Sequence, residues 1–404
     1  MKVKVVSRAF FDDAYLDFFL GYYLGLGFDN ITILKADADL FDYQLPDYLT
    51  EEEKDKITIV PVKNEGNVIV RTNFNHYKDN TYDWVLNIDS DEFLVIDLNK
   101  YPNGIKDYIT ETLERVEREH QLQPDELQQI QFRWLCINKM NIDFSDNLQI
   151  LNYLSHPDEK PYQLLTNKTL STNKTLLNDY ILSNKLEVYR YVKSIATPKQ
   201  MTDEGSALNC HFFPLKKLPT AKTSIKHNIL LDNYFVNRNS NDPRSLQKDK
   251  KAMNWGFILH LNTRSLANAV TKCLVTQLRV NKKISNLNAF KQFINTCQII
   301  PLEDILDKTN AEMVEKRKEL KNNFMSYLNS KRFFPKKIRA YHNRVQKFIP
   351  EENYLPQLSS VINKVKVCQD QSFVHLDKEM ELLEELCQKN DIQFEKMKWL
   401  LSLF

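Results

Sequence analysis

Three carboxylates fall within four positions, Asp89, Asp91 and Glu92, inside the stretch Asp83-Trp84-Val85-Leu86-Asn87-Ile88-Asp89-Ser90-Asp91-Glu92-Phe93-Leu94-Val95. The approach to them is an apolar run with β-branched and aromatic residues, which reads as a short buried strand. Apolar residues resume at once after Glu92. Like charges this close repel, and apolar flanks strip them of bulk water, so both effects push their pKa values up. A divalent cation that prefers oxygen ligands, Mn²⁺ or Mg²⁺, relieves both. Asp-x-Asp is a short pattern and recurs at Asp37 and Asp39, where a solvated acidic turn is the simpler account. The Asp89 copy differs in closing a buried-looking strand with a second apolar segment behind it.

The elements that must position these acids come early in the chain. Lys2 to Ser7 reads as a strand, and Asp12 or Asp13 is suited to cap the helix that follows. Leu16, Phe19, Leu20 and Tyr23 keep helical spacing, with Gly25 and Gly27 as stops. Ile31 to Leu34 and Ile57 to Val62 read as strands, Val68 to Tyr77 as a helix and Trp84 to Ile88 as a fourth strand. That alternation predicts an α/β fold with a mostly parallel, Rossmann-like sheet flanked by helices. Such sheets bind ligands at the carboxyl ends of their strands. Arg8, Asp37, Asp39, Asp89 and Asp91 all fall at such ends. Tyr108 to His120 reads as a charged, solvated helix and Gln129 to Asn138 as a strand. A polar stretch over 145–185 carries Thr-Asn-Lys-Thr-Leu twice, at Thr166 and Thr172, which predicts a loop or insertion. Strands are expected again at Val188 to Thr197, Cys210 to Phe213 and Trp255 to His260, and a helix from Arg264 with Leu266, Val270 and Leu274 on one face.

Beyond Pro301 the pattern turns helical and rich in Lys and Glu. The predicted organisation is a catalytic domain over 1–300 and an α-helical C-terminal extension over 301–404. Within the extension, Lys331 to Lys337 mixes basic and aromatic residues. A helix corner with snorkelling lysines is the simpler account, and peripheral contact with acidic lipid the sharper one.

Composition excludes several classes. The 404 residues carry a net charge of +2, which gives no footprint for nucleic acid. The seven glycines form neither a GxGxxG nor a P-loop pattern, so a glycine cradle for phosphate is excluded. The six cysteines include no CxxC pair. No apolar run reaches bilayer-spanning length and no signal peptide opens the chain, so the expected setting is cytoplasmic.

Several separated segments resemble the family-two-like glycosyltransferases related to family 92, which have a GT-A fold and an Asp-x-Asp metal motif. They are Ala14-Tyr15-Leu16 with Tyr22 to Ile31, Asp83-Trp84 with Ile88 to Leu94, Val192-Lys193-Ser194-Ile195 with Pro198 and His211-Phe212, and His260 with Thr263-Arg264-Ser265-Leu266 and Lys272. The second strand departs from the family in running on through Lys35-Ala36-Asp37-Ala38-Asp39. The resemblance implies inverting transfer of a sugar from a nucleotide-sugar donor, a UDP- or GDP-sugar, to the hydroxyl of a glycan or glycoconjugate acceptor. Asp91 is then expected as a direct ligand of the cation and Asp89 as a contact to ribose or to the cation's water. Glu92 lies behind them or against the donor sugar, while His211 and His260 complete the metal shell or meet the diphosphate. Arg8, Asp37 and Asp39 are placed near the nucleoside, and Arg71, Lys193 and Arg264 toward the phosphates. Inversion needs a carboxylate base within reach of the acceptor hydroxyl, for which Asp203 and Glu204 are the candidates. Two other readings compete: a metal-dependent nucleotidyltransferase, and a sugar-binding or scaffold protein that kept the fold without the chemistry.

Overall fold

The computed structural model describes residues 1–10, 12–36, 43–63 except 48, 69–120 except 97 and 99, 126–138, 192–202, 256–263, 285–301, 310–328 and 375–402, with isolated positions in 213–230, 267–274 and at 304. The repeat at Thr166 and Thr172 and the Lys331 to Lys337 segment lie outside the described residues. The chain divides into two compact units. Among the described residues the first takes in Met1–Cys136 and 192–262, and the second 137–138, 263–328 and 375–402. The second unit therefore begins inside the segment that sequence assigned to the catalytic domain.

The first unit is an α/β structure built on one sheet. Strands β1 (Val3–Ala9), β2 (Asn30–Lys35), β3 (Ile57–Pro61) and β4 (Trp84–Asp89) form its parallel part in the order β3-β2-β1-β4. Helix α1 (Asp13–Gly25) links β1 to β2, and short helices α2 (Glu51–Lys54), α3 (Ile69–Thr72) and α4 (Phe74–Tyr77) lie in the next two connections. The two inner strands are apolar almost throughout because both faces are covered: Val3, Val5, Val6, Val85, Leu86 and Ile88 are fully or nearly fully buried. β3 stands at the edge, where Pro61 costs no ladder hydrogen bond.

The far part of the sheet is antiparallel around β7 (Val192–Ala196), which pairs with both β4 and β6 (Gln129–Asn138). The path then runs through β10 (Phe257–Thr263) to β5 (Glu92–Val95), while the short β8 (Ser224–Lys226) and β9 (Ile229–Leu230) branch from β6. β4 and β5 are joined by Ser90 and Asp91 alone, yet three strands separate them in the sheet. A flat sheet would set them roughly 19 Å apart at about 4.8 Å per strand. A two-residue link spans only about 11 Å. The sheet must therefore curl or stagger, and that brings its far edge back to the tip of β4.

Two local expectations are corrected. Asp12 sits at the N-cap of α1 but makes no side-chain cap bond, because its carboxylate accepts from Ser90 Oγ at 2.7 Å instead. Helix α5 (Ile105–His120) is no purely solvated element, since Tyr108, Ile109, Thr112, Arg115 and Val116 are buried. The turn that receives it needs glycine. Gly104 has φ +73°, and a Cβ there would collide with the Leu26 carbonyl at the end of α1.

The described elements that lie wholly within the second unit are the helices α6 (Ser285–Thr296), α7 (Ala311–Leu328), α8 (His375–Lys389) and α9 (Phe394–Ser402). Its core contains Phe290, Phe324, Leu383, Leu386, Met397 and Leu400. Trp399 Nε1 donates to the Ile300 carbonyl at 2.9 Å, and the Asp391 carbonyl accepts from Asn295 at 3.0 Å. The free cysteines Cys297 and Cys387 are buried within it. No helix among the described residues is long and apolar enough to cross a membrane.

Candidate active site

Strand order 3-2-1-4 puts a reversal of chain progression between β1 and β4, the place where open α/β sheets form a crevice at their carboxyl ends. Arg8 and Asp89 are the directly paired residues at those ends. The guanidinium Nε lies 2.9 Å from Asp89 Oδ1, and a second guanidinium nitrogen contacts the same oxygen. Asp89 Oδ2 accepts from Lys193 Nζ at 2.6 Å. Lys193 reaches it from β7, next to β4 in the sheet, and its side chain is fully buried. Burial would raise the Asp89 carboxyl, but Arg8 and Lys193 outweigh burial and hold it well below the usual carboxylate range.

Glu92 has the opposite environment. It is fully buried at the start of β5. Its Oε2 accepts from the Asp89 backbone N–H at 2.9 Å and lies 3.1 Å from Lys193 Nζ. Its Oε1 is buried with no hydrogen-bond partner. Burial pushes this carboxyl up to about 7, with Lys193 and His260 opposing and Asp89 and Asp91 assisting.

His260 arrives from β10, where it is the cross-strand partner of Glu92. Residues paired directly across antiparallel strands share a face, so imidazole and carboxylate converge. His260 Nε2 lies 3.5 Å from Asp91 Oδ1, and both side chains are 14% exposed. Asp91, Glu92 and His260 each offer a ligand atom, and these atoms lie within 4.8 Å of one another. Two carboxylates and an imidazole suit a divalent ion that accepts oxygen and nitrogen donors, such as Mn²⁺. The orphaned Glu92 Oε1 is what such an ion would satisfy.

Helix α1 fixes the strand that carries Glu92. Tyr23 Oη donates to the Glu92 carbonyl at 3.0 Å and accepts from the Leu94 N–H at 3.1 Å. Tyr22 Oη donates to the Leu94 carbonyl at 2.8 Å. β5 ends the sheet path, and these phenols bond the Glu92 carbonyl and both backbone groups of Leu94. Burial pushes both phenols far up, so they stay neutral donors. Asp12, held to Ser90, fixes the turn between β4 and β5. The buried Lys35 at the end of β2 meets Asp13 at 2.6 Å. The sequence placed Tyr22 and Tyr23 on this helix but did not reveal their bonds to β5 or the Asp12–Ser90 bond. The available signal was two adjacent phenols, Tyr22 and Tyr23, in the second half of α1, since buried tyrosine hydroxyls require partners.

The structure thus gathers Arg8, Asp89, Asp91, Glu92, Lys193 and His260. Both Asp89 oxygens are taken by cations, so Asp89 stands outside the three-ligand group. Arg71 is exposed on α3 and outside the cluster. Asp37, Asp39, Asp203, Glu204, His211 and Arg264 lie outside the described residues.

Fold and site together define an α/β protein with a carboxylate–imidazole cluster at the carboxyl end of its parallel sheet. No protein-family model matches the chain, and no curated protein does. Among solved structures it is similar to S. aureus TarS, at 10% identity over 86% of this chain and 55% of that one, with a TM-score of 0.22. It spans about half the length of that protein. The 1-349 form of TarS matches at 10% identity over 92% of both chains, with a TM-score of 0.23. At these scores the likeness carries no argument, and function rests on the chain's own residues.

Proposed function

We propose that this chain is a GT-A-type glycosyltransferase that moves a sugar from a UDP- or GDP-sugar to an acceptor hydroxyl with the help of Mn²⁺ or Mg²⁺. The observation that carries this reading is the meeting of Asp91, Glu92 and His260 at the tip of β4, beside the Arg8–Asp89 pair at the sheet's reversal point. The resemblance of the Ile88 to Leu94 segment to the family-two-like and family 92 transferases supplies the donor class. Asp91, Glu92 and His260 would hold the ion, which when bound neutralises charge that builds on a departing diphosphate. Arg8 fixes the Asp89 carboxylate in one orientation, which suits a hydrogen-bond acceptor for a ribose hydroxyl. The acceptor is a glycan or glycoconjugate, and Asp203 and Glu204 are the proposed bases for an inverting attack.

The test combines binding and turnover. A nucleoside diphosphate with Mn²⁺ is expected to raise the melting temperature, as a ligand of the folded state does. A panel of UDP- and GDP-sugars is expected to show donor hydrolysis or transfer that Asp91→Asn abolishes while the protein stays folded. Absence of both the thermal shift and turnover across the panel refutes the proposal.

A further inference from the structure

Lys193 occupies a place that the transfer reading leaves unused. Its ammonium is fully buried, 2.6 Å from Asp89 Oδ2 and 3.1 Å from Glu92 Oε2. A group so enclosed is not placed to meet phosphates, the role that resemblance suggested for it. It lies between the two acids that flank the Ser90–Asp91 turn. On one side, together with Arg8, it engages both oxygens of Asp89. On the other it shares Glu92 Oε2 with the Asp89 backbone N–H, so that oxygen is engaged and Oε1 is the one left over, buried and unpartnered. The cluster's ligand atoms from Asp91, Glu92 and His260 lie within 4.8 Å of one another.

The geometry points to Lys193 as a positioning residue that decides which carboxylates of the acidic cluster serve a divalent cation, holding Asp89 out of the ligand set and turning Glu92 into it. The inference rests on the cation reading of this site. Without an opposing cation, three acids in four positions have no reason to divide their labour. With Lys193 in place the set is two carboxylates and an imidazole. Without it, an Asp89 oxygen is released at the same turn, and the set becomes richer in oxygen. Ca²⁺, which takes six to eight oxygen ligands in flexible geometry, gains most from that change. Mn²⁺, already served by the imidazole, gains least.

The experiment measures Mn²⁺ binding to the full chain by loss of the free-ion EPR signal, and Ca²⁺ binding by competition against it. Wild type is expected to bind Mn²⁺ in preference to Ca²⁺. Lys193→Met is expected to lower that preference by about tenfold, within the range over which partners behind a metal's ligands act. Asp89→Asn in the Lys193→Met background is expected to restore it. A merely structural lysine would move neither the ratio nor its reversal. An unchanged Mn²⁺/Ca²⁺ ratio in folded Lys193→Met overturns the inference, while wild-type Mn²⁺ binding alone leaves the cation reading standing. If wild type binds no divalent ion, the cation reading itself fails. Should Lys193→Met not fold, Asp89→Asn alone decides. Its Mn²⁺ affinity is expected within about threefold of wild type, whereas Asp91→Asn is expected to lose at least tenfold. Equal losses in these two variants would place Asp89 in the ligand set and refute the proposal.

Discussion

Tyr23→Phe isolates the contribution of one oxygen atom to the strand that carries Glu92. Phenylalanine keeps the ring and its contacts with Phe19, Phe28 and Tyr22, whose centroids lie 4.6, 5.4 and 5.4 Å away. What disappears is a hydroxyl that donates to the Glu92 carbonyl and accepts from the Leu94 N–H. Tyr23 and Leu94 are fully buried, so water is poorly placed to replace it. Leaving a buried polar group unpaired costs about 1–3 kcal/mol, and a carbonyl with a second lone pair suffers less than an N–H. The summed cost is about 2–4 kcal/mol. For a cooperative unit of this size that corresponds to a fall in melting temperature of roughly 5–12 °C. Urea denaturation followed by far-UV circular dichroism is the assay, with the midpoint moving at constant slope. Tyr22→Phe, which removes a donor to the Leu94 carbonyl, is expected to cost less. A loss below about 0.5 kcal/mol for Tyr23→Phe, or a larger loss for Tyr22→Phe, would show that these phenols do not secure the edge of β5.

Gly104→Ala is expected to destabilise by about 2 kcal/mol or more, because positive φ and collision with the Leu26 carbonyl act together; a melting temperature within a degree of wild type counts against the close approach. Asp79 is held below the usual carboxylate range because hydrogen bonds from Thr81 and the Lys4 ammonium overcome its partial burial. Its stabilising effect is therefore present above the unfolded carboxylate pKa and lost as pH falls through the folded value, so Asp79→Asn should flatten the acid limb of the stability curve. Burial pushes the Cys387 thiol up to about 12, so iodoacetamide at pH 8 is expected to modify it only as fast as the helical unit opens. Rapid labelling under native conditions would contradict the burial of α8 against its neighbours.

The parallel part of the sheet was legible because its strands are buried on both faces and announce themselves as runs such as Val3 to Val6 and Val85 to Ile88. In the antiparallel part, the strands anticipated over Gln129 to Asn138, Val188 to Thr197 and Trp255 to His260 correspond to β6, β7 and β10, but β5 and the pairing of these strands were not legible. β5 is four residues long and follows an acidic turn without punctuation, and its pairing with β10 joins positions more than 160 residues apart. Val68 to Tyr77 was anticipated as one helix, whereas α3 and α4 are separate and flank Asn73, which bonds the Ile69 carbonyl through its side chain. Asp12 was legible as a helix-start residue, but the hydroxyl that claims its carboxylate lies 78 residues on. Local pattern proposes a cap, and tertiary structure supplies the stronger partner. In the site, Asp91 and His260 were each nameable from sequence. Their neighbourhood depended on register, which sets His260 opposite Glu92.

The crowding of acids at β4 makes physical sense once the cations are counted with them. Asp89, Asp91 and Glu92 would destabilise a half-buried turn if all three faced one another unopposed. Arg8 and Lys193 compensate two of the charges from strands on either side of β4. A buried ion pair seldom adds net stability, because desolvation offsets the attraction. The Arg8–Asp89–Lys193 group is therefore better understood as fixing which charges are already spent. What remains is the partly exposed Asp91–His260 pair, with the unpartnered Glu92 oxygen behind it. The curl of the sheet that carries β10 back to β4 is thus the feature on which the chemistry depends, since without it two strands, β7 and β6, would stand between the tip of β4 and the strand that carries His260.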